Sequence, residues 1–141
     1  MAEFIALYVS MRFAKYTFLV AGVYGLIMML PQFFLETKIG QDQPPAITHP
    51  EFFYGFICVT VAFQLIFLNI ATDPIRYRNL MLVSLVEKFP FVIAIAFLYV
   101  QSRVGWQMVV AAAIDGFWGV MFFVSYMKTS PSRSSRLSKA N

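Results

Sequence analysis

Four runs of mostly apolar residues, Tyr16 to Leu35, Phe52 to Thr72, Leu80 to Val100 and Val104 to Met127, dominate the sequence. Each reaches the roughly 20 residues that an α-helix needs to cross a hydrocarbon core of about 30 Å. In lipid every backbone N–H and C=O must find a partner within its own segment, so such runs fold as helices. The first run contains no charged residue, and the second and fourth contain no Lys or Arg. The expected fold is therefore all-α, a four-helix transmembrane bundle over residues 1–127, with a basic, disordered tail over 128–141.

Composition excludes the main alternative. Of the 141 residues 60% are hydrophobic and 13% charged, with a mean hydropathy of +0.69. Soluble domains carry about 25% charged and about 45 to 50% apolar residues. With most of the chain committed to spans, no length remains for a soluble catalytic domain. The leading residues place Glu3 before the apolar stretch and Arg12 and Lys15 after it, the reverse of a secretory n-region. They are expected to extend the first helix or lie in the interface, with no cleavage.

Loop charge sets the expected orientation. One side receives Arg12, Lys15, Arg76, Arg78, Lys128, Arg133, Arg136 and Lys139, whereas the other receives Lys38 and Arg103. The positive-inside tendency then predicts both termini in the cytoplasm. Arg76 and Arg78 fall at the inner headgroup level and are candidate contacts for anionic lipid headgroups. Asp73 and Pro74 have the character of an N-cap and first helical residue, so the third helix is expected to start there. The external stretch 36–51 contains paired prolines and no apolar periodicity, and reads as an ordered turn at most.

Catalytic and metal chemistry finds little purchase. The single cysteine, Cys58, excludes an internal disulfide and any Cys-x-x-Cys motif. His49, the only histidine, stands in the external loop, too far from Ser84 or Ser125 in the spans for nucleophilic catalysis. No cofactor, metal or nucleic-acid partner is expected.

Polar and small residues within the spans are the remaining signal. In lipid, helices associate through small residues that let backbones approach. Such stripes are Thr17, Ala21 and Gly25 on the first span, Gly55, Val59 and Ala62 with Asn69 on the second, and Ala112, Gly116 and Gly119 on the fourth, flanked by Asp115 and Trp118. All are expected to face the bundle centre or a partner. Gln64 lies opposite the Gly55 and Ala62 stripe, with Thr60. Small or polar groups on both faces of the second span suggest a contact beyond the monomer, with a second copy or a larger membrane complex.

Glu87 and Lys88 interrupt the third span, and a charge at a helix centre costs about 2.5 to 3.5 kcal/mol on insertion scales. Pro90 also frees the carbonyl of Val86, and a kink is expected there. Counting about 1.5 Å per residue inward from each helix end puts Lys88 and Asp115 at similar depths. A buried Lys88 to Asp115 pair is expected between the third and fourth helices, leaving Glu87 for the bundle cavity or a partner. The ligand or ion-pair candidates are thus Glu87, Lys88, Asp115, Gln64, Asn69 and Trp118.

The glycine in "FYGF" near the start of the second span, the connection "DPIRYRNLML" and the four short spans resemble the small DoxX-like four-helix membrane proteins. That resemblance implies a fold more than an activity. The chain is also comparable with the EXPERA group of sterol-handling proteins, which use acidic and histidine residues within the bundle. It offers Glu87 and Asp115 but no histidine in a span. The leading expectation is a non-enzymatic accessory or scaffolding subunit, or a binder of an apolar ligand. The alternatives are a membrane-embedded enzyme acting on a lipid or isoprenoid, and a small transporter.

Overall fold

The computed structural model describes residues 2–129, so the expected disorder of the serine-rich tail falls almost wholly outside the described residues. Among the described residues the secondary structure is entirely helical: α1 (Ala2–Met29), a 3-10 turn (Leu30–Phe34), α2 (Glu36–Asp42), α3 (Pro50–Thr72), α4 (Arg78–Val100) and α5 (Trp106–Lys128). Four of these helices, α1 with its 3-10 extension, α3, α4 and α5, are long and apolar enough to cross a membrane. The protein is accordingly a small multi-pass membrane protein.

Helix ends follow local chemistry. The residues before Tyr16 extend α1 back to Ala2. α1 gives way to the 3-10 turn at Pro31, which has no N–H to continue the α-helical ladder. Pro50 opens α3 at its first position, where a missing N–H costs nothing. α4 runs unbroken through Pro90. Two expectations are corrected. The stretch 36–51 holds a two-turn helix: Lys38 pairs with Asp42 one turn on, at 2.9 Å, and Tyr54 Oη donates to Glu36 Oε2 at 2.8 Å, tying α2 to α3. Asp73 does not open α4, which starts at Arg78. Its Oδ1 instead accepts from the Arg76 N–H at 3.1 Å, closing a separate turn before the helix.

α1 packs most closely on α3, and α4 on α5, with α1 against α5 joining the two pairs. The join is aromatic. Phe18 of α1 stacks on Phe122 of α5 with ring centroids 4.2 Å apart, and Phe67 of α3 meets Phe122 edge-on at 4.8 Å. All three are fully buried, with Ala14, Ala21 and Met81 beside them. Hydroxyls in this interior satisfy themselves locally. Ser84, Ser125 and Thr129 donate to the carbonyls of Leu80, Met121 and Ser125, each four residues back.

Of the two orientations open to the small-residue stripe of the second span, toward the bundle centre or toward a partner, the structure excludes the first. Gly55, Val59, Ala62 and Asn69 are exposed on the outside of α3, whereas Ile57, Gln64, Phe67, Ile70 and Ala71 are buried. The amide of Gln64 decides this. Its Nε2 donates to the Thr60 carbonyl at 3.1 Å, and its side chain occupies the notch left by Gly25 on α1. Gln64 lies eight residues before the end of α3, where an amide facing hydrocarbon would cost more than a small-residue stripe gains by turning inward, whereas Asn69, three residues before that end, faces outward close to the helix terminus. Thr17 and Ala21 of α1 are buried, as expected for their stripe.

The α1–α3 seam yields a double-substitution test. A Cβ on Gly22 would come within 3.0 Å of the Gln64 carbonyl oxygen, a backbone atom, and 2.9 Å of Leu68 Cδ2, whereas the nearest atoms to one on Gly25 all belong to the Gln64 side chain. Gly22→Ala and Gly25→Ala should each destabilise by about 1 to 3 kcal/mol. Adding Gln64→Ala should rescue Gly25→Ala and leave Gly22→Ala unrescued. Reversible unfolding in mixed micelles, followed by tryptophan fluorescence, measures this; equal rescue of both would contradict the seam.

Candidate functional site

Lys88 lies ten residues into α4 and Asp115 nine residues into α5, about 15 and 14 Å from the two helix starts and so near the middle of the bundle. The expected pair is formed, with Lys88 Nζ donating to Asp115 Oδ1 at 2.8 Å. The small residues of α5 make that approach possible. A Cβ on Gly119 would press on the Phe89 ring at 3.1 Å and meet the Lys88 Cβ at 3.4 Å, and Gly116 faces Val92. Ala112 and Gly119 are buried, so this stripe turns inward as its spacing suggested.

Glu87 is not left free. Lys88 Nζ also donates to Glu87 Oε1 at 3.2 Å, with Oε2 at 3.1 Å. Neighbouring residues diverge by about 100° around a helix, but the four-carbon stem of lysine reaches sideways to its neighbour. In hydrocarbon the carboxylate has few other donors to choose from. The result is a three-member cluster in which the side chains of Lys88, Glu87 and Asp115 are 7, 13 and 25% exposed. The Phe67 ring lies 5.6 Å from the ammonium, adding a cation–π contact from α3.

Two carboxylates around one ammonium leave a formal charge of −1. Glu87 Oε2 is buried and, despite its proximity to Nζ, has no partner in hydrogen-bond geometry. The cluster can therefore clamp α4 to α5, and it retains one acceptor position. Among the described residues no three His, Cys, Asp or Glu side chains come together as metal ligands.

The other singled-out residues go elsewhere. Gln64 serves the α1–α3 seam, Asn69 points outward, and Trp118 is half-buried between Tyr24 and Phe122, with ring centroids 6.2 and 6.3 Å away. The two candidate headgroup arginines differ from each other. Arg76 is exposed, whereas Arg78 stacks over the Tyr126 ring at 3.5 Å and donates from Nη2 to the Tyr126 carbonyl at 3.1 Å. Arg78 thus serves the C-terminal end of α5, where free carbonyls favour a cation. Sequence reasoning missed Gly22 and the α2 anchor at Tyr54. The i, i+4 spacing of Lys38 and Asp42 was a usable signal for α2.

No protein-family model, curated protein or solved structure matches the chain. What the fold defines is a class, a four-helix multi-pass membrane protein with a buried ion cluster.

The cluster makes an asymmetric prediction. Loss of Asp115 still leaves Lys88 its Glu87 partner, whereas loss of Lys88 strands two carboxylates. Stranding a buried charge costs about 3 to 5 kcal/mol. Lys88→Met should therefore destabilise by at least that much and Asp115→Asn by distinctly less. Adding Glu87→Gln and Asp115→Asn to Lys88→Met should restore most of the loss. Micelle unfolding of the series measures the order; a harmless Lys88→Met would contradict the cluster.

Proposed function

We propose that the chain is a non-enzymatic membrane subunit that scaffolds or assists a partner helix through the outer face of α3. The observation that carries this reading is the outward placement of Gly55, Val59, Ala62 and Asn69. Nothing lies within 4 Å of the position a Cβ on Gly55 would take. Small residues facing lipid gain little for a monomer, whereas they let a second helix approach backbone to backbone. The interior favours the subunit reading over an apolar-ligand site, because Phe18, Phe67 and Phe122 fill the place where the helix pairs meet. The buried serine hydroxyls are bonded to carbonyls of their own helices, which weighs against nucleophilic chemistry. The DoxX-like layout adds an architecture and no chemistry to this proposal.

The same reading carries a topology. The start of α1, the 73–77 turn and the end of α5 share one end of the bundle, as the 4.3 Å contact of Lys128 Nζ with the Phe13 ring and the Arg78 bond to Tyr126 require. Arg12, Lys15, Arg76, Arg78 and Lys128 gather there, and the positive-inside tendency assigns that end to the cytoplasm.

Cys58, the single cysteine, is exposed on α3 beside this face. Cross-linking through Cys58 in native membranes should trap one defined product, either a dimer of the chain or a conjugate with a single partner. Ala62→Leu, which fills the face without touching the core, should reduce that product by about tenfold or more. Uniform monomer labelling with no cross-linked product would count against the subunit reading.

A further inference from the structure

A cleft of about 470 Å³ opens at the basic end of the bundle, between residues 8–16 of α1 and the end of α3. Its walls are Tyr8, Met11, Arg12, Lys15 and Tyr16 on one side and Thr72, Asp73 and Pro74 on the other. We propose that this cleft binds the headgroup of one anionic phospholipid, with Arg12 and Lys15 holding its phosphodiester. The proposal is independent of the subunit reading, since it concerns a different face of the bundle.

Its volume lies within the roughly 300 to 1,000 Å³ typical of small-molecule sites. Arg12 is oriented before any ligand arrives. Its guanidinium carbon lies 5.6 Å from the Tyr8 ring centroid and 5.7 Å from that of Tyr16, one turn to either side, and Nη2 donates to Tyr16 Oη at 3.4 Å. Among the described residues no carboxylate forms an ion pair with Arg12 or Lys15. Both cations are exposed, and a planar guanidinium fork beside a mobile ammonium suits phosphate oxygens.

The remaining walls specify a lipid of net negative charge. Arg12 and Lys15 against Asp73 give the cleft a formal charge of +1, which favours a ligand of charge −1 over a zwitterion. Asp73 has one oxygen engaged by the Arg76 N–H, and its second oxygen can accept from a headgroup hydroxyl. Met11, half-buried in the cleft wall, offers apolar surface for the glycerol end. The location selects a lipid over a dissolved phosphate ester. α3 ends at Thr72, and its exit through Asp73 and Pro74 forms one wall, so the cleft lies at the boundary where tyrosines and phospholipid headgroups concentrate in a bilayer.

The test uses the full chain in nanodiscs of equal phosphatidylglycerol and phosphatidylcholine, with retained lipid counted by native mass spectrometry. One phosphatidylglycerol should be retained, with a preference on the order of tenfold over phosphatidylcholine. Arg12→Gln with Lys15→Gln should abolish the preference while the melting temperature of the bundle is kept. Lys128→Gln, an exposed cation at the same end of the bundle and outside the cleft, should leave the preference intact, and millimolar glycerol 3-phosphate should not displace the lipid. No preference in the unaltered chain would overturn the proposal. So would equal loss in Lys128→Gln, which signals diffuse surface charge, or displacement by glycerol 3-phosphate, which signals a site for a soluble phosphate ester.

Discussion

An ammonium in hydrocarbon is the constraint on which the rest of the arrangement turns. Lys88 lies too far from either end of α4 for easy escape to the headgroups, so it is held between Glu87 of its own helix and a carboxylate that α5 brings to it. Asp115 can reach it only if the two backbones come close, and that closeness requires Gly119 where a larger residue would strike Phe89 and the stem of Lys88. The ion pair, the glycine and the tight α4–α5 packing are consequently one feature. Phe67, reaching the ammonium from α3, extends the same dependence to the other helix pair.

The second pair obeys the same logic with a neutral group. Gln64 donates from Nε2 to the Thr60 carbonyl of its own helix, and α1 supplies the notch that receives its side chain through Gly25, while Gly22 lets the α3 backbone come near. Each helix pair thus combines a polar side chain on one helix with glycine on the other. Hydrophobic burial contributes little between helices already in hydrocarbon, so shape at these notches and satisfaction of polar groups carry the specificity. The three-phenylalanine stack then fills the junction of the pairs.

Much of this was legible in the sequence, and the exceptions have physical causes. Span length and hydropathy locate the four long helices, and the rise per residue brings Lys88 level with Asp115. The part played by Glu87 was hidden because helical angles describe Cβ positions, whereas a lysine stem bends across them. The spacing of Gly55, Val59 and Ala62 left their stripe free to face the bundle centre or a partner; the seating of Gln64 in the Gly25 notch of α1 turns it outward. Asp73 has the chemistry of a cap, but the sequence does not say whether it caps a helix or a free turn. The cleft between residues 8–16 and 72–74 depends on long-range proximity, which no local pattern encodes.

The most direct measurement of the central claim is a solid-state NMR dipolar recoupling experiment in lipid bilayers, between ¹⁵N at Lys88 Nζ and ¹³C at the Asp115 carboxyl. The 2.8 Å approach of Nζ to Oδ1 predicts clear dephasing, at the through-space separation of a hydrogen-bonded ion pair. Its absence, with the Lys88 ammonium found in contact with headgroup phosphorus instead, would show that the lysine extends to the membrane surface and that α4 and α5 are joined by other means.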